Sequence, residues 1–448
     1  MSDRFSEIRL LGLDLDPEEP LAFPQRPGSL NALLGGANGE IRQSEDAFQV
    51  RVQAPEEAKG APVVVFIPGG GFLTGTGNAR WFTSPELADR AGVVLVTVNY
   101  RIGALGHLGP TTRLADSQRG LRDIVVALRW VKEHIAAFGG DPASVTLSGD
   151  SAGAWYAFAL STFEETRGLF GRAALLSLPW EPPLEAGAYT ERRDLMSGEL
   201  AEVGGLRDAA CEAVLTAQSS LARAYAGRGM ALMPAVADGI QRDLHDYASA
   251  AKRLHISELA LLSSSEEAAA FLFQAPDQAF SPESVHGFIG AKFRDPEAVS
   301  AWITNKRPDA TPKQRMIEAM TLHQFRLANL ELAAAATAEG VTTYVASFSV
   351  QSRLTGAFSP HCFVLPFLFG ERSGWNDAPM LDGLDDDVFS GTSRSLREWF
   401  LGFVREGIPR VNGERVASFD PGRPARLEFD GGAVRSEPPS ELGLIVLR

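Results

Sequence analysis

Short runs of aliphatic and β-branched residues alternate along this chain with segments whose apolar positions recur every three or four residues. Residues 63–67, 93–98, 145–147, 173–178 and 259–262 carry short apolar runs, the pattern of buried strands, and 341–350 and 426–429 read as further strands. Between them, residues 117–137 put Leu121, Ile124, Val125, Leu128, Val131 and Ile135 on one helical face. Residues 311–339 predict a long helix capped at Thr311 or its neighbour and stopped at Gly340, and 394–405 a shorter one. Strands and helices in turn predict an α/β fold, a mostly parallel sheet covered on both faces. Residues 180–250, rich in Ala, Glu and Arg, interrupt this alternation. They read as a cap-like helical insertion within a single domain spanning 1–448.

Composition narrows the chemistry more than the fold. Over 448 residues the chain is 45% hydrophobic and 22% charged, ordinary for a globular protein. Its formal charge of −14 argues against nucleic acid as a partner, since phosphate binding needs clustered Lys and Arg. No apolar stretch reaches the roughly 20 residues that span a bilayer, so no membrane partner is expected. The start lacks a basic segment followed by an apolar core, and only two cysteines occur, Cys211 and Cys362. A cytoplasmic protein without a disulfide framework is expected. The seven histidines form no short-spaced metal motif, so no metal and no cofactor is expected.

The most informative stretch is Leu147-Ser148-Gly149-Asp150-Ser151-Ala152-Gly153, in which a strand runs through Gly-x-Ser-x-Gly into a helix ending near Leu160. That spacing places one serine on a turn so tight that the residues two positions to either side must lack side chains. Ser151 is therefore the candidate nucleophile, and the motif points to an α/β-hydrolase fold. A serine hydroxyl needs a base, and the base needs an orienting acid. In such folds they follow in the order serine, acid, histidine. Among the later histidines, His245 and His255 precede the best acid, His286 lies in a polar segment with no strand before it, and His323 falls inside the long helix. His361 sits in a loop directly after a strand, between Gly356 and Pro366, where a catalytic loop belongs. Glu266 or Glu267, after the strand at 259–262, would supply the acid, and periodicity does not choose between them. Pro68-Gly69-Gly70-Gly71 can aim successive N–H groups at an oxyanion, together with the N–H of Ala152.

These segments also resemble a known family. PVVVFIPGGGF, VVLVTVNYRIGALGHL, GLRDIVVALRWVKEHIAAFGGDPASVTLSGDSAGA and RGLFGRAALLS look like the type B carboxylesterases, which include cholinesterases and bacterial p-nitrobenzyl-type esterases. Weaker echoes, among them GAFSPHCFVLPFLFG around His361, extend the likeness from about Arg42 to Pro409. The resemblance implies that Glu267 is the triad acid, with Glu266 its exposed neighbour, and that His361 is the base. It implies Gly70 and Gly71, with Ala152, as oxyanion donors. The implied activity is hydrolysis of a small-molecule ester through an acyl-enzyme. Acyl transfer, amide or carbamate cleavage, a lyase step, or a catalytically silent binding protein are the alternatives. Pro68, Ala268 and Val364 depart from the family pattern around the site, and the front of the chain is short, which bears on specificity rather than on the triad.

Overall fold

The computed structural model describes every residue except 1–3, 7–13, 16–18, 89, 238, 371, 433, 442 and 445–448. It divides into two compact units. The first comprises Met1–Gly28, Gly36–Ala173 and Pro182–His255; the second comprises Ser29–Gly35, Ala174–Glu181 and Ile256–Arg448.

In the first unit four strands lie side by side: β1 (Gln49–Gln53), β2 (Ala61–Ile67), β3 (Val94–Val98) and β4 (Gly140–Asp150). Their spatial order is β1-β3-β2-β4, with β1 antiparallel to β3 and the other pairs parallel. The expected apolar runs at 63–67 and 93–98 are thus β2 and β3, and Val63, Val65, Phe66, Val94 and Val96 are fully buried. The strand expected at 145–147 is longer, because Gly140 already pairs with Ala61. Helix α1 (Arg119–His134) buries Leu121, Ile124, Leu128 and Val131 as its periodicity requires. It tightens into a last 3₁₀ turn at Ile135–Phe138 and stops at Gly139, whose φ of 77° suits a residue without Cβ. Helix α2 (Ala152–Leu160) is buried along its whole length, which explains its lack of any polar face. Within 180–250 stand α3 (Ala186–Leu200) and α4 (Cys211–Ala224). The strand expected at 173–178 is β5 (Arg172–Leu176), within which the chain passes from the first unit to the second.

The second unit contains β6 (Glu258–Ser264), β7 (Thr342–Phe348), β8 (Arg426–Phe429) and β9 (Val434–Glu437). β6 and β7 pair in parallel, with Ser264 opposite Phe348; β8 is parallel to β7, and β9 returns antiparallel. Its helices include α5 (Pro282–Lys292), α6 (Pro296–Lys306), α7 (Pro312–Thr321), α8 (Leu327–Ala338) and α9 (Asp386–Glu406). The polar segment that holds His286 is α5. Two expectations are corrected here. The helix expected at 311–339 begins as predicted, with Thr311 and Gln314 forming a capping box, but a π turn at Leu322–Arg326 separates α7 from α8. The Gln324 carbonyl in that turn accepts the Trp180 N–H at 2.6 Å, so the wider turn releases an acceptor to a non-helical partner. The helix expected from Arg394 starts two turns earlier, where the Asp385 carboxylate accepts the N–H groups of Asp387 and Val388.

Candidate active site

The serine turn follows from the packing of β2, β4 and α2. Ile67 pairs with Gly149, so both chains leave the sheet at one level. A Cβ on Gly153 would lie 2.0 Å from the Ile67 carbonyl oxygen, and one on Gly149 would lie 2.5 Å from the Gly153 carbonyl carbon. Strand and helix cross at a separation that excludes any side chain at either shoulder. Ser151, between them, has φ 53° and ψ −122°, a conformation L-residues hold only where the surrounding structure imposes it. Its side chain is left partly accessible.

The glycine run after β2 lies against this turn. A Cβ on Gly69 would come within 3.0 Å of the Ser151 Cβ. Gly70 and Gly71 have φ values of 129° and 60°, and at Gly70 a Cβ would meet the Thr74 carbonyl oxygen at 2.1 Å. The Gly70 carbonyl is occupied by the N–H groups of Leu73 and Thr74 and by the Thr74 hydroxyl. Among the described residues the N–H groups of Gly70 and Gly71 donate to nothing. Ala152 opens α2, so its N–H has no acceptor within the helix. Phe72 anchors the far end of the run, packing edge-on against Trp155, Tyr156 and His107.

In the second unit the loops after β6 and β7 bring Glu267 and His361 together. His361 Nδ1 lies 2.5 Å from Glu267 Oε2, with both side chains essentially inaccessible. Glu267 Oε1 accepts the Ser264 N–H at 2.7 Å, and the His361 N–H donates to the Glu267 carbonyl at 3.3 Å. A carboxylate on Nδ1 fixes the tautomer and leaves Nε2 to act as a base. Among the described residues Nε2 has no hydrogen-bond partner. The rings of Phe271 and Phe325 stand 5.0 and 5.3 Å from the imidazole.

Glu266 is not the exposed neighbour the resemblance implied. It is 4% exposed and ion-paired with Arg307, and its Oε2 accepts Gln351 Nε2 at 3.1 Å and the Ser359 N–H at 3.3 Å. It thereby ties the acid loop to the histidine loop. Behind it lies a buried charge network that sequence reading missed. Glu318 Oε1 accepts Arg326 and Lys306, each at 2.7 Å, and Arg307 Nε stands 3.3 Å from Glu318 Oε2. Arg326 also reaches Glu441 Oε1 at 2.9 Å, and Arg426 pairs with Glu441. Burial opposes ionisation of Glu318 and Glu441, yet Arg326 and the neighbouring cations hold both below the usual carboxylate range.

Two other histidines have structural surroundings. His107 Nδ1 bonds the Ser117 carbonyl at 3.1 Å and its Nε2 the Tyr156 hydroxyl at 3.3 Å, and burial lowers its pKa to about 4. His323 is buried among the rings of Trp180, Phe288 and Phe293. Among the described residues no group of three or more His, Cys, Asp or Glu side chains could hold a metal ion, and no helix is long and apolar enough to cross a membrane.

Comparison with known proteins shows the family. The carboxylesterase family model matches residues 22–194. The chain is 30% identical over 429 residues to a probable N-octanoylanthranilate hydrolase of Rhodococcus erythropolis, covering 91% of this chain and 87% of that protein. It is 30% identical to the phenmedipham hydrolase of Pseudarthrobacter oxydans, over 86% of this chain and 78% of the other. A solved Geobacillus stearothermophilus carboxylesterase superposes with a TM-score of 0.77 at 25% identity, covering 90% of this chain and 85% of that one. Such neighbours have the α/β-hydrolase fold that the serine motif led us to expect. A serine held on a strained turn, a relative matched along nearly its whole length and a shared fold agree: this chain is a hydrolase of the type B carboxylesterase family.

Proposed function

We propose that the protein hydrolyses a small-molecule carboxylic ester through a Ser151–His361–Glu267 triad. Ser151 Oγ attacks the ester carbonyl carbon while His361 Nε2 takes the hydroxyl proton. The tetrahedral oxyanion accepts hydrogen bonds from the N–H groups of Gly70, Gly71 and Ala152. His361 then gives its proton to the departing alkoxide, leaving Ser151 acylated. Water, deprotonated by the same nitrogen, releases the carboxylic acid and restores the serine hydroxyl. Glu267 keeps the imidazole in the required tautomer and stabilises its cation. The observation that carries this reading is the buried Glu267–His361 pair, in which Nε2 has no hydrogen-bond partner among the described residues. Cys211 and Cys362 are not joined in a disulfide, which supports a cytoplasmic setting.

A second reading is cleavage of an amide or carbamate by the same groups. It is favoured by one relative's name, since N-octanoylanthranilate is an N-acyl compound. Both readings use the same nucleophile and differ in the leaving group, an alcohol or an amine. Ser151→Ala should abolish labelling by a fluorophosphonate probe, and labelling that persists refutes the assignment. A panel of p-nitrophenyl esters and matched p-nitroanilides then decides between the two bonds.

A further inference from the structure

Three parallel strands of the first unit end at one level. Ile67 of β2 is opposite Gly149 of β4, and Phe66 is opposite Thr97 of β3. The residues just beyond these ends therefore meet, among them Pro68 and Gly69, Tyr100 and Asp150. The Tyr100 hydroxyl donates to the Pro68 carbonyl oxygen at 2.6 Å, and the Gly69 N–H donates to Asp150 Oδ1 at 2.9 Å. The Pro68 carbonyl and the Gly69 N–H belong to one peptide unit.

A peptide unit is planar, so holding its oxygen on one side and its N–H on the other fixes the rotation of the whole plane. The next two N–H groups along the chain are those of Gly70 and Gly71, and glycine by itself would let that segment turn freely. We infer that Tyr100 and Asp150 are positioning residues for the oxyanion hole, clamping the Pro68–Gly69 peptide so that the following two N–H groups converge on the serine turn. The inference rests on the assignment of Gly70 and Gly71 as oxyanion donors.

Both clamping side chains are built in rather than incidental. Tyr100 and Asp150 are 5% and 3% exposed. The Tyr100 ring packs edge-on against Tyr156 at 5.2 Å, which fixes where its hydroxyl points. Burial, and the charge of Asp150 after it, push the phenol well above its ordinary pKa, so it stays a donor across the working range. Asp150 also occupies the x position beside the nucleophile, so one residue joins the oxyanion turn to the serine turn. The hydroxyl and the carboxylate act on the same plane, so their contributions should be coupled.

The test uses Tyr100→Phe, Asp150→Ala, Asp150→Asn and the Phe/Ala double variant in the full chain. Each is assayed on a short-chain p-nitrophenyl ester and titrated with a trifluoromethyl ketone, whose hemiketal adduct with the Ser151 hydroxyl carries the oxyanion. The single variants should lose about tenfold to a hundredfold in kcat with KM nearly unchanged, less than the loss of a whole donor. Affinity for the ketone should fall by the same factor, which a general loss of stability would not produce. Asp150→Asn keeps an acceptor oxygen and should recover most of the activity, while the double variant should lose less than the product of the single losses. Ketone affinity equal to the unaltered protein's, a loss confined to KM, or multiplicative losses in the double variant would overturn the clamp. Fluorophosphonate labelling of the unaltered protein separates the two failures. If Ser151 is not labelled, the catalytic reading is wrong; if it is labelled and the clamp variants keep full rates, only the clamp is wrong. Should Asp150→Ala not fold, Tyr100→Phe and Asp150→Asn still decide.

Discussion

The surroundings of the serine and of the histidine are held in different ways. Around Ser151 the restraint is backbone geometry and missing side chains: two glycine shoulders where an added Cβ would lie 2.0–2.5 Å from neighbouring main chain, and a serine forced to positive φ. Around His361 the restraint is paired charge: Glu267 on the imidazole, Glu266 on Arg307, and a line of buried ions running to Glu441. Among the described residues, Asp150 is the carboxylate that reaches into the glycine turn. A region restrained by sterics responds to added volume, whereas one restrained by charge responds to lost partners. The two should therefore fail under different perturbations.

The sharpest contrast is expected at the acid. Glu267→Gln keeps the shape and the hydrogen-bonding capacity but removes the charge and favours the wrong imidazole tautomer. It should lower kcat by about 10⁴-fold with little change in folding. Single-turnover kinetics beside thermal unfolding would check this. A loss below tenfold would mean that the imidazole does not depend on the buried carboxylate.

Next in size is the ion network. Arg326→Met removes the cation shared by Glu318 and Glu441, which are 1% and 0% exposed at their side chains. Two carboxylates would then lose their principal partner, and unfolding free energy should fall by about 3–5 kcal/mol. Denaturant titration measures it. Replacing the cation together with both acids by apolar residues should cost less, because no carboxylate is then left buried without its cation, while Lys306, Arg307 and Arg426, which lose a partner, are themselves partly exposed. Equal losses in the two variants would show that packing, not charge, holds this region.

The contrast also explains what was legible in the sequence. The serine turn could be read directly because its cause is local: Gly149, Ser151 and Gly153 lie within five residues, and the steric demand falls on those positions themselves. The start of α7 was legible for the same reason, with Thr311, Pro312 and Gln314 carrying the cap. Glu266 was misjudged because its partner Arg307 lies 41 residues away, and two adjacent glutamates ordinarily mark a solvated helix start. The Arg326–Glu441 pair spans 115 residues and leaves no periodic trace. The π turn at Leu322–Arg326 escaped because its apolar spacing continues that of the flanking helices, while the Trp180 N–H that its Gln324 carbonyl accepts comes from elsewhere in the chain.

The smallest expected effect separates the two regions by pH. His107 lies beneath the glycine run, packed against Phe72 and Tyr156, and burial lowers its pKa to about 4 from an ordinary value of about 6.5. The unfolded chain therefore binds more protons than the folded one between those two values, so stability rises with pH across that window. The contribution is complete above about pH 6.5 and is lost as pH falls toward 4, amounting to at most about 3 kcal/mol. Glu318 and Glu441 have lowered pKa values and also stabilise from above. Their contribution, however, begins to fall only as pH drops into the ordinary carboxylate range near 4.3 and below. Acid should thus reach the serine-bearing unit first. Hydrogen exchange followed from pH 7 to 5 should show protection lost around Phe72 and Tyr156 before it is lost around Arg326. His107→Gln should abolish the early phase while leaving the late one. If the two regions lose protection together, or if the substitution leaves the early phase intact, the buried imidazole is not what makes the glycine-built region the more acid-sensitive of the two.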